Sequence, residues 1–282
     1  MLSKLKAAGT LIVTVLLILF SKFTRRSILA TLGLCAEVLI PSLFPFFVLS
    51  GVIADIGLDA LFGVSRGIFL LGTVCGYPLG TRAVCDGFQT GRLSRKEACR
   101  LLACTANASP AFLIIAVGQT ILRDTAKGIA LFAAQFAVSL TIFLLFVPKG
   151  QTRSVCRSVA LTDALMRNIR AAVSQTGVVV AITICFGIIA DAASYWAPAG
   201  IKAAAAGFWE ITHGVALITP SLPPAVVGAV IGGSGLCVWA QCLYFIRGAG
   251  LPARPLVIGK TISAVGVALL YGLYCHLTNL HR

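Results

Sequence analysis

The sequence has few charged residues, and acidic residues are the scarcest of them. Charged side chains make up 11% of the 282 residues, with 9 Asp and Glu against 23 Lys and Arg. A water-soluble domain averages about 25% charged residues, so this composition excludes a single soluble core. Hydrophobic residues reach 58% and the mean hydropathy is +0.96. The chain is therefore predicted to be an all-α polytopic membrane protein.

Residue patterns for enzyme chemistry are also missing. The histidines are His213, His276 and His281, and the chain contains neither an H-E-x-x-H nor a G-x-S-x-G motif. Ten cysteines are present, but none forms a CxxC pair or a Cys/His spacing that is typical of metal sites. We therefore expect no enzymatic activity, no metal and no cofactor.

Basic residues are concentrated in short segments between the apolar runs. These segments are Lys22–Arg26, Arg92–Arg100 and Lys149–Arg170. Loops on the cytoplasmic side of membrane proteins carry such an excess of Lys and Arg, so we expect these segments on that side. The net charge of +14 is accordingly interpreted as a membrane pattern, and the predicted partners are the lipid bilayer and a small-molecule solute, not nucleic acid.

Several apolar runs are long enough to cross a membrane, which requires about 20 residues. Uninterrupted runs occupy Gly128–Val147, Ala171–Ala190 and Thr261–Leu280. The run Ala7–Ser21 is followed by basic residues and by no small-residue cleavage site, so it is interpreted as an uncleaved first membrane helix. Together with interrupted runs, these give about eight membrane segments.

The remaining apolar runs contain Gly, Pro and polar residues that are expected to break a helix. Four breaks are predicted at Gly76–Gly80, Asn107–Pro110, Glu210–Gly214 and Gly232–Gly235, and Pro41–Pro45 should break or kink another helix. Broken membrane helices are tolerated where they are buried in protein or line a watery cavity. The pattern favours re-entrant or discontinuous helices that build a solute site. Alternatively, Gly and Pro only kink ordinary spans.

An internal repeat is indicated by one pentapeptide and by the order of the breaks. Gly51–Asp55 reads GVIAD and recurs as GIIAD at Gly187–Asp191. In each half an apolar helix is followed by two breaks and a span, so we predict two structural repeats, whose parallel or inverted relation the sequence leaves open. The predicted organisation is an N-terminal membrane helix (1–26), a first repeat (27–148), a basic linker (149–160) and a second repeat (161–282).

Several motifs together resemble a known membrane family. They are Pro41–Ser50, Gly76–Gly80, Gly91–Ala98, Asn107–Pro110, Glu210–Gly214, and Gly232–Gly235 with Gln241. They resemble the Gate, or nucleoside-recognition, membrane domain, and within it the YlbJ-type sporulation integral membrane proteins and their dipicolinate-transport relatives. The resemblance implies inverted repeats whose re-entrant hairpins meet at a solute site. It also implies a role in sporulation and a multi-pass protein of the bacterial cell membrane (the inner membrane).

Nine residues at or beside the breaks are predicted to bind the solute. Glu210 and His213, at i, i+3 spacing, are interpreted either as a proton- or cation-responsive pair or as a structural contact. Arg82 either binds a carboxylate or phosphate or pairs with Asp86. The remaining candidates supply a turn, a phenol or uncharged hydrogen-bonding groups, and they are Gly76, Tyr77, Asn107, Ser109, Ser234 and Gln241.

The leading functional prediction is a transporter or facilitator of a small polar solute, dipicolinate-like or nucleoside-like. An anionic solute is one option, and a coupling proton or cation is a further possible partner. The alternative is a non-transporting assembly or scaffolding factor of the membrane in spore formation.

Overall fold

The computed structural model describes residues 2–56, 63–146, 160–219 and 222–280. Across these ranges the chain is helical apart from short connections, and no strand occurs in them, which confirms the all-helical prediction. The α-helices are α1 (Leu2–Leu19), α2 (Ser21–Leu34), α3 (Ile40–Ile56), α4 (Val64–Cys75), α5 (Leu79–Gln89), α6 (Arg95–Leu102), α7 (Thr125–Phe146), α8 (Leu161–Trp196), α9 (Lys202–Trp209), α10 (Ile211–Ala216), α11 (Pro224–Gly233), α12 (Gly235–Gly248) and α13 (Arg254–Leu280). Two π-helices occupy Cys35–Leu39 and Ala111–Ile121, and a 3₁₀ turn occupies Ala199–Ile201.

Four stretches of the described chain are long and apolar enough to cross a membrane. They are Thr125–Phe146, Leu161–Trp196, Pro224–Gly248 and Arg254–Thr278. Three of them correspond to the uninterrupted apolar runs, and the other consists of α11 and α12 together. Shorter apolar helices add Thr10–Leu19, Leu43–Ile53, Val64–Cys75 and Ala111–Ile121. This composition is that of a membrane protein, while the two repeats and the total of eight segments stay predictions.

The proline-rich segment does not break its helix. From α2 through the first π-helix to α3 the chain stays helical past Pro41 and Pro45. Proline has no N–H to donate to the preceding turn, and here a wider turn precedes it: the amide of Ile40 donates to the carbonyl of Cys35, five residues earlier. The expected break is therefore absent, and the π-helix accommodates the distortion instead. The predicted boundary at residue 26 falls inside α2.

The long helix formed by α2 and α3 packs antiparallel against α8. Near one end of the pair, the Asp55 carboxylate accepts a hydrogen bond from Asn168 (2.6 Å) and forms an ion pair with Arg167 (2.7 Å). Near the other end, the hydroxyl of Ser27 donates to Asp191 (2.5 Å). Early residues of one helix thus face late residues of the other. As a result, the two copies of the repeated pentapeptide lie at opposite ends of this pair.

Two breaks turn the chain back on itself as helical hairpins. A Cβ on Gly80 would lie 2.7 Å from the Cα of Gly72, and one on Gly214 would lie 2.2 Å from the Cα of Gly207. In a continuous helix these pairs would be about 10 to 12 Å apart along the axis. The arms α4 and α5, and likewise α9 and α10, therefore fold back and touch through glycines, which allow backbones to approach this closely.

The other two breaks are held by side chains from the long helices α7 and α13. The amide of Gln135 donates to the carbonyl of Ala108 (2.9 Å) and accepts from its N–H (3.2 Å). The ammonium of Lys260 donates to the hydroxyl of Ser234 (2.6 Å) and to the carbonyl of Gly232 (3.3 Å). Gln135 and Lys260 are both buried. Backbone groups released by a broken helix need such partners away from water, so α7 and α13 stabilise the breaks.

Candidate functional site

A cavity of about 300 Å³ lies where three of the four breaks meet. Of the nine predicted site residues, the five that line it are Gly76, Tyr77, Ser109, Glu210 and Gln241. Most of the remaining wall is apolar and includes Leu43, Phe46, Val74, Phe112, Val179 and Val238. The site therefore combines an apolar wall with a few polar groups, which is the usual composition of a small-molecule pocket.

The first and second breaks lie directly against each other at this cavity. The N–H of Tyr77 donates to the carbonyl of Asn107 (2.6 Å). Gly76 has a φ of +79°, and a Cβ there would lie 2.8 Å from the backbone nitrogen of Ser109. Glycine is thus required at residue 76 both by its φ angle and by space. The hydroxyl of Tyr77 is buried and has no hydrogen-bond partner among the described residues.

Glu210 brings a buried carboxylate to the cavity from the third break. The residue is 2% exposed and stands just before α10, where its backbone is extended (φ −140°, ψ 118°). One carboxylate oxygen accepts from the N–H of His213 (2.9 Å) and lies 2.7 Å from its ring Nδ1. The other accepts from the hydroxyl of Thr212 (3.1 Å). Glu210 is therefore the N-cap of α10 as well as a wall of the cavity.

His213 does not line the cavity but lies behind Glu210. Its second ring nitrogen, Nε2, is 3.7 Å from a carboxylate oxygen of Asp191 and 3.5 Å from the hydroxyl of Thr31. Asp191, the last residue of the second copy of the pentapeptide, is not among the nine predicted site residues. The structure brings it to the imidazole, and 32% of its side chain remains exposed.

Arg82 lies outside the cavity and is held by its neighbours. Its Nη1 donates to the carbonyl of Phe47 (3.0 Å), and its Nε is 3.2 Å from the carboxylate of Asp86. The guanidinium also lies over the Phe47 ring, 5.5 Å from the centroid. Arg82 was interpreted either as a ligand for a carboxylate or phosphate or as a partner of Asp86, and in this structure it is paired with Asp86.

Asn107 and Ser234 likewise lie away from the cavity and hydrogen-bond to protein groups. The side-chain oxygen of Asn107 accepts from the hydroxyl of Ser139 (2.8 Å), and its amide donates to the carbonyl of Cys104 (2.8 Å). Ser234 has a positive φ of 63° between α11 and α12 and accepts from Lys260. In this structure both residues hydrogen-bond to protein groups at or beside their breaks.

Some residues of the site were not singled out from the sequence. Thr183, in the middle of α8, lines the cavity and accepts a hydrogen bond from the amide of Gln241 (3.1 Å). A lone threonine in an apolar span gives no signal in a sequence. Lys260, which holds the fourth break and lies outside the cavity, did give a signal, because it is a charge next to an apolar run. The run Thr261–Leu280 was taken to begin after it.

Comparison with known proteins gives one distant relationship. The chain is similar to the sporulation integral membrane protein YlbJ of Bacillus subtilis (strain 168), with 31% identity over 123 residues. This match covers 38% of the present chain and 30% of the relative, so the chain spans less than a third of that protein's length. No family model matches, and no solved structure matches. Weak homology to a sporulation integral membrane protein is thus confirmed, whereas membership of the Gate family is not.

Proposed function

We propose that this protein is a multi-pass transporter or facilitator that binds a small polar solute in the cavity between the helix breaks. The observation that carries the proposal is that two residues at hairpin tips, Tyr77 with a buried and unpartnered hydroxyl and Glu210 with a buried carboxylate, both line one cavity of about 300 Å³. Broken helices that carry polar groups mark substrate sites in transporters, and an ionisable residue within a membrane protein is a functional candidate. The proposed activity is non-enzymatic.

The lining favours a neutral, nucleoside-like solute over a dipicolinate-like dianion. Phe46, Phe112 and the ring of Tyr77 offer aromatic surface, on which a planar ring can stack. Gln241 and Glu210 also line the cavity and offer groups that can hydrogen-bond to the polar atoms of such a ring. The only charged side chain among the described lining residues is the carboxylate of Glu210, which repels a dianion while it is ionised.

The arrangement of the helices supports two inverted repeats around this site. The helices that carry the repeated pentapeptide pack antiparallel, and each is followed in sequence by a hairpin whose arms meet through glycines. Repeats of opposite orientation allow a central site to open alternately to the two sides. The similarity to YlbJ supports a position in the bacterial cell membrane and a role in sporulation.

Uptake into liposomes that contain the purified protein tests the proposal. Labelled uridine and labelled dipicolinate are compared for the wild type, Tyr77→Phe and the exposed control His276→Gln. Tyr77→Phe removes only the hydroxyl, so we expect uridine uptake to fall about fivefold or more, since a hydrogen bond lost in a buried site costs about 1–3 kcal/mol. His276→Gln should not change uptake.

Transport of neither solute by folded protein would refute both substrates. The scaffolding alternative, which rests on the name of the distant relative, would then be the next to test. Its test is whether a Tyr77→Phe, Gln241→Leu double variant still supports spore formation in cells that lack the native chain.

A further inference from the structure

Three titratable side chains form a row that leads away from the cavity. Glu210, which lines the cavity and is 2% exposed, lies 2.7 Å from Nδ1 of His213. On the other side of the ring, Nε2 lies 3.7 Å from Asp191, whose side chain is 32% exposed. Each ring nitrogen thus faces a different carboxylate. An imidazole can accept a proton on one nitrogen and release one from the other.

We infer that Asp191, His213 and Glu210 conduct protons between the cavity and the end of α8 at which Asp191 lies. This inference rests on the proposed function and names its coupling ion. A protonated Asp191 gives its proton to Nε2 of His213, which leaves an aspartate and an imidazolium. The imidazolium then gives its Nδ1 proton to the carboxylate of Glu210, and both groups become neutral. Once Glu210 has released its proton to the cavity, the ring flips and its remaining N–H again faces Glu210, which resets the path.

The gap between His213 and Asp191 is longer than a hydrogen bond. Closing it takes about half an ångström or more of side-chain movement, or one bridging water. The side chain of Asp191 is 32% exposed, and the path requires this exposed side to be in contact with water. The hydroxyl of Thr31, 3.5 Å from the same ring nitrogen, supplies a further polar group at the gap.

Among the described residues, the side chains that contact this row or lie near it on the packed helices include hydroxyls and thiols, which are neutral at physiological pH. They come from α2, the first π-helix, α8, α12 and the first break, and they are Ser27, Thr31, Cys35, Thr183, Cys237 and Tyr77. None of these neighbours adds a charge to the row. Asp55, the corresponding carboxylate of the other pentapeptide, is instead paired with the permanent cation Arg167.

A functional consequence follows for the cavity. Glu210 presents an anion to the solute when it is ionised and a hydrogen-bond donor when it is protonated. Because its proton arrives through His213 and Asp191, the pH at the Asp191 end sets the chemistry of the binding site. The site thereby responds to a pH gradient even when the cavity is closed to that side.

Proton influx into liposomes tests the path without requiring a known substrate. An internal pH-sensitive dye reports influx after external acidification, with the membrane potential clamped, in the presence and absence of uridine. We expect His213→Gln and Asp191→Asn to lower the influx about tenfold or more, as for other positioned proton-transfer groups. Two matched controls, Asp55→Asn and His276→Gln, remove a similar carboxylate and an exposed imidazole outside the row and should leave it unchanged.

The outcomes separate this inference from the proposed function. Influx that requires His213 and Asp191, without transport of any solute, supports the path and refutes the carrier. Solute uptake that is independent of the pH gradient and unchanged in His213→Gln overturns the path and leaves the carrier intact. Absence of influx in the wild type also overturns the path. If His213→Gln does not fold, Asp191→Asn, at the exposed end of the row, carries the same test.

Discussion

Replacing Gly214 by Ala should open the hairpin that brings Glu210 to the cavity. The added Cβ would lie 2.2 Å from the Cα of Gly207, 2.5 Å from its backbone nitrogen and 2.9 Å from the carbonyl oxygen of Ala203. Real Cβ atoms essentially never approach another atom within 3.0 Å. All three neighbours are backbone atoms, so no side chain can rotate away, and the arms α9 and α10 must separate by about an ångström. Overpacking of this kind costs about 1–3 kcal/mol, and rigid neighbours favour the upper end.

Thermal unfolding of the purified protein in detergent measures this cost, with Gly177→Ala as the matched control. Gly177 lies within α8, and a Cβ added there meets no atom within 4 Å. Alanine is favoured over glycine inside a helix by about 1 kcal/mol. The same chemical change should therefore lower the apparent melting temperature by several degrees in Gly214→Ala and leave it equal or slightly higher in Gly177→Ala.

Equal melting temperatures for the two variants would refute the reasoning. They would mean that the backbones of α9 and α10 do not meet at Gly207 and Gly214. The third break would then not be a hairpin tip, and the position of Glu210 in the cavity wall would lose its explanation.

Three further substitutions test how the breaks are held. Gln135→Leu removes both hydrogen bonds to Ala108 and should destabilise the protein by about 1–3 kcal/mol in the same unfolding assay. An unchanged melting temperature would contradict a stabilising role of Gln135 at the second break. Lys260→Met removes the group that donates a hydrogen bond to the hydroxyl of Ser234, and it should also lower the melting temperature. A higher melting temperature would show that burying the charge of Lys260 destabilises the protein by more than its hydrogen bonds stabilise it. Arg82→Lys replaces the planar guanidinium, whose N–H groups bind Phe47 and Asp86, by a single ammonium, and it should lower the stability of the protein. The affinity for a solute should not change, because Arg82 lies outside the cavity. Weaker solute binding by a variant of normal stability would place Arg82 in the site.

The breaks were predictable from the sequence because their residues are costly in an apolar helix. Glycines and polar side chains within apolar runs indicated the four interruptions, and helices end at each of them in the structure. At Pro41–Pro45 the sequence predicted a break or a kink, and the helix does not break there, since a wider turn before Pro41 accommodates the missing N–H; the kink stays a prediction. Whether a proline breaks a helix depends on the hydrogen bonds of the preceding turn, which the sequence does not specify.

The contacts of the site could be predicted only where they are local. The proximity of Glu210 and His213 was expected from helical i, i+3 spacing, and the contact exists, but for another reason: Glu210 is extended and caps the helix in which His213 lies. The approach of Asp191 to His213 joins two separate helices. It depends on how α8 packs against α10, and no local pattern records that packing. Arg82 lies outside the cavity for a similar reason, because its partner Phe47 comes from another helix.

The position of Lys260 bears on the biogenesis of the protein. A lysine within a membrane helix is costly to insert into lipid, and it needs acceptors as soon as it leaves water. Its acceptors, Gly232 and Ser234, precede it by 28 and 26 residues on a segment that packs along α13, so they have already been synthesised when Lys260 reaches the bilayer. The segment from α11 to α13 can therefore enter the membrane as one unit, with its charge already satisfied and without waiting for the first half of the chain to fold.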